Sequence, residues 1–209
     1  MPTSSSRSNT SADGLRRDAP LAHVALGANL GDPLAALIAA AAALARLGEL
    51  VAVSRAWRTD PVGGPEGQPA YRNAVLLWRP AAPWRRPTSA LAGMLAIERG
   101  LGRVRRERWG PRRIDLDLLA WEADHDRVRD EGPGSSGRES RPELPHPRAL
   151  ERAFVLLPWS EVAPAWVHPG VGRSLADLAD ESDRSGAEVV AGAEARRWAA
   201  AFGPHAGPW

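Results

Sequence analysis

Apolar residues follow two rhythms along this chain. His23-Val24-Ala25-Leu26 reads as a short buried strand closed by Gly27. Asp32 then offers an N-cap and Pro33 a first helical position for LAALIAAAAALARL, with Gly48 as the helix end. Leu50 to Arg58 carries Val51, Val53 and Trp57 in partial alternation and predicts a second strand. DPVGGPEGQPA, with three prolines and three glycines, predicts a loop. Asn73 to Arg79 predicts a third strand, and a Pro-rich turn leads to Thr88 or Ser89 as a helix cap. Leu91, Met94, Leu95, Ile97 and Leu101 then mark one helical face, up to Gly100 or Gly102. Ile114 to Trp121 (IDLDLLAW) predicts a fourth strand.

The order β-α-β-β-α-β predicts an α+β fold, a ferredoxin-like βαββαβ core, with additional C-terminal elements. Glu122 to Arg141 is charged and rich in Gly and Ser, as a flexible insertion would be. ELPHPRALERAFVLLPWSEVAP predicts a short helix and an apolar patch, Ser174 to Ala179 another short helix, and Glu194 to Phe202 a last helix without an evident role. These elements predict one domain over 21–180, preceded by a disordered Ser-rich tail, 1–20, and followed by an extension, 181–209. No internal repeat is present.

Composition narrows the chemistry. All 27 cationic side chains are arginine, and the chain contains neither lysine nor cysteine. That excludes a lysine Schiff base, a thiolate nucleophile, cysteine-ligated metals, disulfides and the phosphate loop G-x-x-x-x-G-K-[ST]. Of the apolar residues 38 are alanine, so the core of large side chains is smaller than the 44% hydrophobic content suggests. The pI of about 10.2 looks like a nucleic-acid signal, yet the formal net charge is only +2. With few groups titrating between neutrality and the arginine range, a small excess of cations lifts the pI far, so the pI carries little. The longest apolar run, Leu34 to Ala45, is short of the roughly 20 residues that span a bilayer, so no membrane partner is expected. Absence of cysteine suits a reducing compartment, and the expected location is cytoplasmic.

Two carboxylates, Asp115 and Asp117, stand at i and i+2 on the fourth predicted strand and leave the same face. Such neighbours are solvated, share a proton, or share cations. Oxygen pairs on a rigid strand suit Mg²⁺, which divides its shell between carboxylates, water and substrate phosphates. Between Arg99 and Arg113 lie seven arginines against the single acid Glu107. Guanidinium forks bind phosphate oxygens bidentately, so this loop can hold a polyphosphate beside a metal pair. A solvated basic loop, or one touching an RNA backbone, satisfies the same pattern. An RNA-binding ferredoxin-like module would carry the string K/R-G-F/Y-G/A-F-V-x-F/Y, which does not occur here.

The segment IERGLGRVRRERWGPRRIDLDLL resembles the signature of the 6-hydroxymethyl-7,8-dihydropterin pyrophosphokinase family, as do VALGANLGDP, TDPVGGPEGQPAYRNAV and LPHPRALERAFVLLPWSEVAP. The blocks occur in the family's order across Leu21 to Ala179. The resemblance implies a ferredoxin-like fold and transfer of pyrophosphate from ATP to the hydroxymethyl oxygen of the pterin, giving AMP. It implies that Asp115 and Asp117 bind two Mg²⁺ ions, and that Arg103 and Arg112 engage the phosphates near the transition state. Arg105, Arg108, His146 and Arg152 would contact ATP, with Glu98 beside the nucleotide. Trp109 and Phe154 would stack on the pterin ring, Tyr71 and Asn73 would flank and hydrogen-bond it, and Thr59 and Val62 would supply edge contacts. The expected partners are ATP and the pterin, with no nucleic acid, and the expected state is a monomer. His23, His125, His168 and His205 have no chemical context and read as surface or structural residues.

The sequence departs from the family pattern in three places. The loop after Asp60 is one residue longer, and Val62 is smaller than the usual residue. Arg105, Arg106 and Arg108 stand so close together that they are interchangeable in register. The insertion 122–141 replaces a shorter segment that is partly strand in the family, and it bears on how His146 is presented.

Overall fold

The computed structural model describes residues 19–103, 110–123 and 142–203. The core elements are β1 (Leu21–Ala28), α1 (Pro33–Ala45), β2 (Gly48–Val53), β3 (Trp57–Thr59), β4 (Tyr71–Pro80), α2 (Pro87–Gly100) and β5 (Asp115–Glu122). Beyond them come α3 (Ala153–Val162), a hairpin of β6 (Val167–His168) and β7 (Arg173–Ser174), α4 (Leu175–Asp180), β8 (Ala187–Val189) and α5 (Gly192–Phe202). The main sheet runs β5-β1-β4-β3-β8, with β2 also on β4. Every neighbouring pair in it is antiparallel. The strand after α2 lies beside β1, the arrangement that a split βαβ pair makes and the one expected from the element order.

Alternation sorts the strand residues onto two faces. Val24, Leu26, Leu76, Trp78, Leu116 and Leu118 pack in one core with Leu34, Leu37, Ala40, Ala41 and Leu44 of α1 and Ala90 and Met94 of α2. The spacing in α1 is helical, and its fully buried alanines let the helix approach the sheet closely. Ala25, Val75 and Leu119 look the other way, onto Val155, Leu156 and Trp159 of α3 and Leu175 of α4.

Helix α1 begins as its sequence predicts: Asp32 Oδ1 accepts the Ala35 amide at 3.0 Å, and Pro33 follows. Its end does not lie at Gly48. The helix stops at Ala45, and Gly48 opens β2, where a Cβ would meet the Arg79 carbonyl at 2.4 Å. Gly48 is there for close strand approach. Neither Thr88 nor Ser89 caps α2, which starts at Pro87 with Arg86 before it in an extended conformation and no side-chain cap. A residue before proline is held extended, and proline at the first position removes one of the N–H groups that a helix start leaves without a partner. Ser89 Oγ instead donates to the Pro83 and Arg86 carbonyls.

The predicted strand Leu50–Arg58 is two strands. Both lie on one edge of β4, and the step between them is stitched by Ser54: its N–H donates to Val75 O at 2.8 Å, and its Oγ accepts the Val75 N–H at 2.9 Å. Arg55, turned outward at the step, donates from its amide, Nε and Nη2 to the Glu161 carboxylate of α3, which also accepts Trp57 Nε1.

Residues 187–202 are part of the packed structure. β8 extends the main sheet beside β3, and α5 puts Trp198 and Phe202 into the core beside α1. Trp198 Nε1 donates to Ser54 O at 2.8 Å. Among the described residues no helix is long and apolar enough to cross a membrane.

Candidate active site

On the sheet face opposite α1 and α2, one cross-strand row reads Asp115, Gly27, Asn73, Trp57. The next row on either side places Asp117 beside Ala25, and Thr59 opposite Tyr71. The middle of the first row is open because Gly27 has no side chain: a Cβ there would lie 2.9 Å from Asn73 Oδ1. Above this floor is a cavity of about 610 Å³. Its other walls are the loop after β3 and the N-terminal end of α3 with the segment before it.

The carboxylate end is crowded with charge. Asp115 Oδ2 accepts Arg112 Nη1, and Asp115 Oδ1 lies 2.7 Å from Arg103 Nη2. Arg103 Nη1 also donates to Glu98 Oε1, a buried oxygen that in addition accepts the Leu116 amide at 2.8 Å. Burial pushes the Glu98 carboxyl above its ordinary range, while the Leu116 N–H and the Arg103 guanidinium pull it back. Glu98 therefore fixes Arg103 against the start of β5 and does not line the cavity. Among the described residues no guanidinium is bonded to Asp117. Burial, and then the neighbouring Asp115 charge, raise its carboxyl, against the pull of His146, Arg152 and Arg112.

His146 is set by a bulge in β5. The register with β1 shifts at His23/Val24, which leaves Leu119 out of step, and its carbonyl accepts the His146 amide at 2.7 Å. His146 Nδ1 accepts the Arg148 amide at 3.2 Å.

At the other end Asn73 Nδ2 donates to Thr59 Oγ1 at 2.7 Å, a buried pair. Burial raises the Tyr71 phenol. Phe154, on the first turn of α3, lines the cavity with the Arg152 guanidinium 5.8 Å from its ring centroid. An aromatic face and fixed amide and hydroxyl groups suit a flat heterocycle with polar edges.

The cavity thus brings together Asp115, Asp117, Arg112 and Arg152 with Thr59, Val62, Tyr71, Asn73 and Phe154. Val62 is 69% exposed, an open flank and not a buried contact. Arg103 and Glu98 stand behind the carboxylates, and His146 acts on Asp117 without lining the cavity. Arg105, Arg108 and Trp109 lie outside the described residues. Arg148, Glu151, Asp60 and the turn 183–187 also line the cavity. Their positions follow from long-range pairings that no local motif encodes.

A further residue emerges only from the fold. Asn29 is buried and uses both ends of its amide: Oδ1 accepts the Arg112 N–H at 2.7 Å, and Nδ2 donates to Pro69 O at 3.1 Å. Its backbone N–H donates to Arg112 O at 3.0 Å. Asn29 ties the end of the 60–70 loop to the residue that carries the Arg112 guanidinium.

Two acceptors beside a cluster of guanidiniums, adjoining an aromatic slot, define a site for a phosphorylated group next to a planar one. The family model described as 7,8-dihydro-6-hydroxymethylpterin-pyrophosphokinase (HPPK) matches residues 23–164. The chain is 39% identical over 173 residues to the 2-amino-4-hydroxy-6-hydroxymethyldihydropteridine pyrophosphokinase of Methylorubrum extorquens, covering 81% of this chain and 98% of that protein. It is 36% identical over 162 residues to the protein of that name from Synechocystis, covering 77% of this chain and 75% of the other. The HPPK-DHPS of Plasmodium falciparum, solved with pteroate, superposes at a TM-score of 0.56 with 14% identity, over 82% of this chain and 46% of that one. The protein belongs to the 7,8-dihydro-6-hydroxymethylpterin-pyrophosphokinase family.

Proposed function

We propose that the cavity on the sheet face transfers the pyrophosphoryl group of ATP to the hydroxymethyl oxygen of 6-hydroxymethyl-7,8-dihydropterin, giving the pterin diphosphate and AMP. The observation that carries this reading is the common row of Asp115 and Asn73 about a side-chain-free Gly27, with Arg103 and Arg112 already on Asp115.

The geometry supports one division of labour. Asn73, Thr59, Tyr71 and Phe154 orient the pterin so that its hydroxymethyl group points along the row toward the aspartates. Arg103 and Arg112 present guanidiniums that phosphate oxygens would draw from Asp115 as negative charge moves through the transition state. Arg152 adds positive charge on the Asp117 side, where His146 also stands, and Arg105, Arg108 and Trp109 belong to the same loop by sequence.

Two Mg²⁺ ions fit the donor set. Asp117 is an acid destabilised by burial and by Asp115, the condition a cation relieves. Among the described residues no group of three or more His, Asp or Glu could form an all-protein cage, and Mg²⁺ commonly takes one or two carboxylates with phosphates and water. When bound, Mg²⁺ would neutralise phosphate charge beside Asp115 and Asp117. On this reading a cytoplasmic monomer works on two small molecules, with neither nucleic acid nor membrane as partner.

The test is to incubate the purified protein with Mg·ATP and the hydroxymethyl dihydropterin. AMP is expected in proportion to the pterin consumed, and ADP as the only nucleotide product would overturn the assignment.

A further inference from the structure

Residues 183–202 lie beyond the 23–164 stretch that matches the family, yet Asp183, Ser185, Gly186 and Ala187 line the same cavity. Thr59 faces Ala187 across β3 and β8, and the Asp60 amide donates to Gly186 O at 2.8 Å just where the 60–70 loop departs. Gly186 sits at φ +69°, where a side chain is strained, and a Cβ there would come within 2.9 Å of Asp60 Oδ2. Asp183 Oδ1 accepts the Ser185 amide and Oδ2 the Ser185 hydroxyl, each at 2.8 Å. The closed turn lines the cavity beside Thr59 and Val62.

The same segment also reaches the back of the sheet. Tyr71 and Asn73 line the cavity, and Arg72 between them points to the opposite face. There Glu194 of α5 accepts Arg72 Nε at 3.0 Å and Nη2 at 3.1 Å. Helix α5 is itself seated by the buried Trp198 and by Arg197 on Asp32 at 2.9 Å.

We propose that residues 183–202 form a C-terminal arm that completes the pterin end of the cavity and sets its affinity for that substrate. The turn 183–187 walls the slot and seats the 60–70 loop through Asp60, and α5 braces the strand of Tyr71 and Asn73 from behind. The inference rests on those residues and Thr59 being the pterin side of the proposed reaction.

Gly186→Ala and Glu194→Gln test it by steady-state formation of AMP with each substrate varied in turn. Both variants are expected to raise the pterin KM by about three- to tenfold, with the ATP KM within about twofold of wild type, the split expected of lost binding to one substrate only. A pterin KM unchanged in both folded variants, or two KM values rising together with falling Tm, overturns the arm. Wild-type protein that makes no AMP would overturn the reaction instead. The arm is then judged by hydrogen exchange at the Asp60 amide, which accelerates in Gly186→Ala if the arm seats the loop and is unchanged if it does not.

Discussion

Two ends of one sheet face hold polar groups under opposite conditions. At one end His23 is fully buried in β1: its Nε2 hydrogen-bonds Glu122 Oε1 at 2.5 Å, and Nδ1 accepts Trp159 Nε1–H at 2.7 Å. An indole N–H can only donate, so Nδ1 carries no proton and Nε2 is the donor to Glu122. Trp166 closes the cluster, 5.4 Å from the His23 ring and 5.1 Å from that of Trp159. At the other end, four residues along the same strand, Gly27 opens a cavity floored by Asp115, whose charge is balanced by Arg103 and Arg112 and not by fixed neutral donors, and by Asp117, which no guanidinium among the described residues bonds. A buried polar group whose bonds are all taken by rigid partners has nothing left for a ligand. An acid such as Asp117, raised by burial and by the neighbouring Asp115 charge and facing open space, is where binding energy can be gained.

The sharpest break in this comparison is to remove the acids. Asp115→Ala and Asp117→Ala are each expected to lower kcat by about a hundredfold or more, the scale of losing an electrostatic group at a transition state. The Asp117 carboxyl is raised, so its ionised form costs stability above its folded pKa, and the cost vanishes on protonation. Asp117→Asn should therefore hold or raise Tm at neutral pH while activity collapses. A variant with near wild-type turnover would remove the aspartates from the site.

His23→Leu should do the reverse. It strands the buried Trp159 N–H, a loss of about 1–3 kcal/mol in urea unfolding, while kcat of the folded protein stays within about twofold. A large loss of kcat with unchanged stability would place His23 in the chemistry.

Asn29 tests whether the rule has an exception, being as satisfied as His23 but bonded to two segments of the site. Asn29→Ala is expected to lower kcat by about tenfold, since displacement of a phosphate-directed guanidinium by a fraction of an ångström is felt in the transition state. Unchanged kcat with lower Tm would make Asn29 structural only.

What could be read from the sequence was what short spacing encodes. The i, i+2 aspartates, the arginine run and the Asp32-Pro33 helix start all depend on neighbours within a turn or a strand. The split at Ser54 was not readable, because it depends on Val75 and on Glu161 of α3. Nor was the function of Glu194–Phe202: α5 is marked only by amphipathic spacing, and its partners Asp32, Ser54 and Arg72 are more than a hundred residues away. The structural role of His23 needed Trp159 and Glu122 beside it.

Asp32 supplies the smallest effect and the control for burial. It is a satisfied polar group like His23, but exposed, accepting the Ala35 amide at the start of α1 and Arg197 from α5. The Ala35 N–H first, and then Arg197, hold its carboxyl below the ordinary value of 3.8. An acid depressed by folding adds stability above its unfolded pKa and loses it as pH falls through the folded one, so the contribution is whole at neutral pH and fades below about pH 4. Asp32→Ala should cost about 1 kcal/mol at pH 7. Asp32→Asn keeps the cap but not the charge, and its stability relative to wild type should improve as the pH is lowered toward 3. If satisfaction alone set the scale, Asp32→Ala would cost as much as His23→Leu; a smaller loss in parallel urea titrations means that burial makes the difference between the two ends of the sheet.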